Sequence, residues 1–91
     1  MDQAAFEAQL RRDGFEVEVK DNPGGIKNDL HTHEFEVRAL VLDGEIALTC
    51  GGATTTYRPG DVFTMAAGMP HSEEIPGFYR SVVGRRHPAG S

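Results

Sequence analysis

From Phe15 onward the chain is cut by turn signals at short intervals, and that cadence leaves room for short strands and little else. Phe15, Val17 and Val19 alternate with Glu16, Glu18 and Lys20, the period of a half-buried strand. Asn22-Pro23-Gly24-Gly25 then turns the chain. The stretch from His31 to Leu42 is predicted as one strand, closed by the Asp43-Gly44 turn. Residues 45–50 return as the next strand, with Ile46, Leu48 and Cys50 on one face. Gly51-Gly52 signals a two-residue hairpin leading into a strand over residues 53–57. Arg58-Pro59-Gly60-Asp61 suits a tight turn, because proline presets φ and glycine is free to take φ > 0. Short strands follow over residues 62–65, 71–75 and 78–83. Many short strands with frequent turns point to an all-β sandwich or barrel.

Only the start of the chain reads differently. Asp2 is a helix N-cap, Phe6 and Leu10 lie four apart over residues 3–13, and Gly14 stops the helix. The reading is one domain: a helix in residues 1–14 packed on a barrel of residues 15–84, with residues 85–91 as a flexible tail. A chain of 91 residues buries roughly 60–65% of its unfolded surface, so a bound metal or a second copy would add to a modest stability.

The charge balance narrows the partners. Fourteen acidic residues against nine basic ones give a net charge of −5, and a phosphate backbone wants a basic face. Arg11-Arg12 and Arg85-Arg86 are the only basic pairs, and they read as solubilising surface. Nucleic acid is not expected as a partner. No apolar run approaches the roughly 20 residues that span a bilayer, and no basic-then-apolar leader opens the sequence. The single cysteine, Cys50, permits no intrachain disulfide and reads as a small buried hydrophobe. The expectation is a cytoplasmic protein without a membrane partner.

The histidines carry the chemistry. On a strand His31 and His33 project to the same face, side by side, close enough to grip one metal ion. His71, in its own small motif, offers a third imidazole. Glu34 and Glu36 have the opposite parity, so each faces away unless a bulge intervenes; Glu36 is kept only as a doubtful fourth ligand. Arg38 also lies on the far face and is expected to pair with an acidic residue at the surface. His87, between Arg86 and Pro88, is expected to stand apart.

These residues resemble the cupin superfamily. Its first motif is matched by Gly25, five residues, His31-Thr32-His33 and Gly44 at the right distance. Its second is matched by Gly60, five residues, Ala66-Ala67-Gly68, two residues and His71. The resemblance implies an all-β double-stranded β-helix, a jelly-roll-like barrel, with a metal in its cavity. Three positions depart from the pattern: Val37 stands where the family's glutamate ligand falls, Ala66 for its proline and Ile75 for its asparagine.

What the resemblance then implies is a three-histidine site for a divalent ion, held by His31, His33 and His71. Iron, zinc, manganese, nickel and copper all accept imidazole. Three neutral ligands leave the ion's charge uncancelled, which favours a small anionic ligand or substrate in the open positions. Phe35, Val37, Met65 and Met69 are expected to line the cavity. The leading reading is a small metal-binding protein of undefined activity. One alternative is a metal-dependent dioxygenase or related oxidoreductase on a small anionic substrate; another is a non-catalytic module that binds or senses a small ligand. Leu40 and Leu42, read as outward-facing apolar residues, suggest a partner sheet and a homodimer.

Overall fold

A computed structural model describes residues 2–88. Helix α1 (Gln3–Arg12) is followed by eight strands: β1 (Glu16–Asn22), β2 (Ile26–His31), β3 (Glu36–Asp43), β4 (Ile46–Cys50), β5 (Ala53–Tyr57), β6 (Val62–Met65), β7 (His71–Ile75) and β8 (Tyr79–Arg86). The Asp2 carboxylate caps α1 by accepting from the Ala5 backbone N–H at 3.0 Å, and Arg11 and Arg12 close its last turn. Four-stranded antiparallel sheets form in the orders β1-β8-β3-β6 and β2-β7-β4-β5. Cys50 pairs with Ala53 across Gly51 and Gly52, whose φ values of 58° and 83° make the two-residue turn a glycine turn. No described helix is long and apolar enough to cross a membrane.

Two apolar clusters hold this together. Between the sheets lie Ala39, Val41, Phe63, Met65 and Tyr79 from one and Ile46, Leu48 and Ile75 from the other. On the outer face of the first sheet, α1 buries Phe6 and Leu10 against Phe15, Leu40 and Val82. Strand β3 is therefore covered on both sides: Ala39 and Val41 face the interior, and Leu40 is 1% exposed beneath the helix.

That second cluster corrects the reading of Leu40 and Leu42 as a dimer face. The chain's own helix covers Leu40, with Leu42 packed against the same cluster. Alternation along a strand shows that two faces exist, not what covers each of them. It also limits β1, where Val17 joins the cluster beside the preceding Phe15 but Val19 stays 49% exposed.

The predicted tail is corrected as well. β8 runs to Arg86, two residues into the segment expected to be flexible. Arg85 pairs with Glu18, and Arg86 bonds the Asp13 carbonyl at 2.7 Å and the Glu36 carboxylate at 2.7 Å. Gly84 is buried, and a Cβ there would sit 2.8 Å from a Leu10 methyl. Glycine at this place reflects close packing, not fraying. His87 and Pro88 follow as exposed residues; the remainder of the expected tail lies outside the described residues.

The helix contact is thus a stability determinant. Leu10→Ala opens a cavity beneath α1 and is expected to cost about 2–5 kcal/mol in urea unfolding, at the upper part of that range if the site fails to collapse.

Candidate metal centre

The predicted continuous strand from His31 to Leu42 does not form. His31 ends β2 in one sheet, whereas β3 begins at Glu36 in the other. The chain must cross between sheets, and it bends through residues 32–35 to do so. Strand parity therefore does not bring His31 and His33 together. His31 stands directly opposite His71 across the β2–β7 ladder, just beyond a register shift after Asn28. His33 sits in the corner, where its carbonyl accepts from the Gly68 N–H at 2.8 Å and ties the corner to the turn before β7.

The three imidazoles converge all the same. Ring centroids lie 4.4 Å apart for His31–His71 and 4.9 Å for both pairs involving His33. One nitrogen of each falls within 4.8 Å of the others. His71 is buried, while His31 and His33 are half-buried. His31 Nδ1 lies 2.7 Å from the Asp29 carbonyl, and His71 Nδ1 lies 3.0 Å from the Met69 carbonyl. A carbonyl oxygen only accepts, so both Nδ1 atoms carry the proton and both Nε2 lone pairs are left free. That is the arrangement in which a backbone carbonyl orients a metal-binding imidazole.

The Phe35 ring stacks on His33 at 4.9 Å and 14°, and Phe35 lines a cavity of about 210 Å³ with Val37, Met65, His33 and His71. Met69, expected in that lining, is not among the cavity residues. Its side chain is 41% exposed, and it is its carbonyl that serves the site, by holding His71. Glu36 faces the other way: its carboxylate is held by Arg86 at 2.7 Å and lies 4.0 Å from Arg38. Arg38 in turn pairs with Asp13 at 3.1 Å on that outer face. His87 meets the Phe35 ring edge-on at 5.7 Å and is outside the cluster. Cys50 packs its thiol 3.8 Å from the Met65 sulfur.

Several cavity residues escaped the sequence reading, among them Tyr79 and Ser81 on β8 and Glu73 on β7. Glu73 lies two residues after His71 on β7, so it shares the inward face, and the Asn28 amide donates to it at 2.6 Å. The same parity that was applied to His31 and His33 finds Glu73 when counted from His71.

Burial lowers the His33 pKa, and charge on His71 and His31 lowers it further; Glu73 opposes. With the folded value below the unfolded one, the unfolded chain takes up a proton first as the solution acidifies. Stability then falls as pH drops below the ordinary imidazole range. In metal-free protein, urea unfolding between about pH 7 and pH 5 is expected to show this loss, and His33→Asn is expected to show less of it.

Comparison with known proteins comes to the same fold. A family model described as the cupin domain matches residues 17–77. No curated protein matches the chain. Among solved structures, a conserved protein of unknown function from Streptococcus pyogenes superposes with a TM-score of 0.71 at 18% identity, covering 84% of this chain and 67% of that one. The cupin domain of Cnp3 from Schizosaccharomyces pombe gives 0.70 at 19%, covering 81% and 53%. The DMSP lyase DddQ from Ruegeria pomeroyi gives 0.69 at 23%, covering 85% of this chain and 40% of the lyase. Identities this low show shared architecture alone.

Proposed function

This chain belongs to the cupin family, and we propose that it is a metal-binding member whose His31, His33 and His71 hold one divalent ion and present it to a small anionic ligand. The observation that carries this is the convergence of the three imidazoles, one ring nitrogen of each within 4.8 Å of the others, with the Nδ1 atoms of His31 and His71 each held by a backbone carbonyl. The donor set suits iron(II), zinc, manganese, nickel or copper. Such an ion supplies Lewis acidity or, where redox-active, oxygen chemistry.

The chain's own residues set the rest. Val37 lines the cavity at the position where the family motif has its glutamate, so no carboxylate on β3 competes for the ion. Glu36 is committed to Arg86 outside the barrel. An anionic ligand is thereby favoured at the open positions, since three neutral imidazoles leave the ion's charge in place. Phe35 covers one face of the His33 ring. Glu73 places a proton-accepting carboxylate in the same cavity.

Metal content by mass spectrometry on tag-free protein tests the reading. The wild type is expected to carry near one equivalent per chain and His33→Ala to carry almost none. The element found selects the chemistry, with iron directing it to oxygen and zinc to hydrolysis. Binding to the folded form alone is also expected to raise the melting temperature with metal concentration. Metal-free protein even after incubation with excess iron(II) or zinc would defeat the proposal.

A further inference from the structure

The far wall of the cavity holds two hydroxyls that the metal reading does not use. Tyr79 and Ser81 sit two apart on β8, on the face that lines the cavity. Tyr79 is 6% exposed and Ser81 1%. Neither the Tyr79 Oη nor the Ser81 Oγ has a hydrogen-bond partner among the described residues. A buried polar atom left unpaired costs stability, and such atoms are rare in native proteins. Ile46, Leu48, Phe63 and Ile75 line the same space with apolar atoms, and although Lys20, Asp21, Glu73 and Arg85 also line it, neither hydroxyl bonds to any of them.

We infer that Tyr79 and Ser81 form a second subsite in the cavity, separate from the histidines, which binds the neutral oxygen of a small organic molecule: a carbonyl or hydroxyl group, not an anion. Two hydroxyl donors on one strand face match the two lone pairs of one such oxygen. The charge preference follows from the environment. Burial pushes the Tyr79 phenol above its ordinary range; the adjacent Ser81 hydroxyl tempers this, and the Glu73 carboxylate adds to it. Tyr79 and Ser81 come near enough to feel one another but do not reach hydrogen-bonding geometry. A site that resists ionisation of its own phenol resists a ligand's negative charge for the same reason.

The test uses two probes of similar size, diethyl ketone and butyrate, titrated into metal-free wild type, Tyr79→Phe, Ser81→Ala and the double variant. Amide chemical shifts along β7 and β8 report binding. Diethyl ketone is expected to bind wild type saturably in the millimolar range and more tightly than butyrate. The double variant is expected to bind it at least about fivefold more weakly, the loss of one ordinary hydrogen bond or more. Melting of the ligand-free proteins separates this from a structural role: removing an unpaired hydroxyl leaves the melting temperature unchanged or raises it, whereas removing a bonded one lowers it. A lower melting temperature in both single variants would show that the hydroxyls already have partners. No saturable shift in wild type, equal affinity in the double variant, or preference for butyrate would each overturn the subsite. Every measurement is made without metal, so the outcome stands apart from that of the metal-content experiment.

Discussion

His31 faces His71 because β2 pairs with β7, and the geometry of the site depends on that pairing. The two strands are distant in sequence, so closing them costs loop entropy that only the assembled sheet returns. Once they are paired, the chain leaving His31 has nowhere to continue in the same sheet. It crosses to the opposite one, and the crossing sets His33 in a corner beside the other two rings. The corner is pinned by the His33 carbonyl and the Gly68 amide. The turn before β7, which presents His71, is thereby fixed to the segment that presents His33. The histidine cluster is a product of topology in which a short motif supplies two of the members.

The opposite constraint acts on β3 and β8, which must be buried on both faces. One face closes the barrel and the other needs the helix. Phe6 and Leu10 supply that cover, and Gly84 lets the helix approach. Around the rim, Asp13, Glu36, Arg38 and Arg86 interlock, with both guanidinium groups over the Phe15 ring at 4.7 and 4.5 Å. Pairs this exposed add little stability singly. Their greater consequence is directional, since they hold Glu36 on the outside and end the strand in order at Arg86.

Much of this was legible in the sequence, though not always for the right reason. The turn residues located the strand breaks after Asn22, Asp43, Cys50 and Tyr57, because glycine, proline and asparagine act locally. Glu36 and Arg38 do lie on the outer face, as parity counted from His31 and His33 led one to expect, although the continuous strand behind that count does not form. The grouping of His31 with His33 was sound, but the parity argument behind it was not: the chain crosses between sheets after His31, with His33 inside the crossing, and no local signal marks it. Leu40 was misread because alternation says nothing about a helix far away in sequence. The order of residues 85 and 86 was missed because the contacts that fix them are to Glu18 and Glu36, both distant in the chain.

The charges inside the barrel give the cavity two unlike walls. On one side three imidazoles gather with one nitrogen of each within 4.8 Å of the others, and Val37 brings no counter-charge. On the other, the two buried hydroxyls of β8 stand without partners, while Glu73, held by Asn28, lies on β7 with His71. Burial acts in the same sense on both: it favours neutral His33 and it favours neutral Tyr79. Neutral imidazole is the metal-binding form, and neutral phenol is the hydrogen-bond donor. A single physical effect, the removal of water by the two packed sheets, therefore favours the neutral form of both the imidazole and the phenol in one small space.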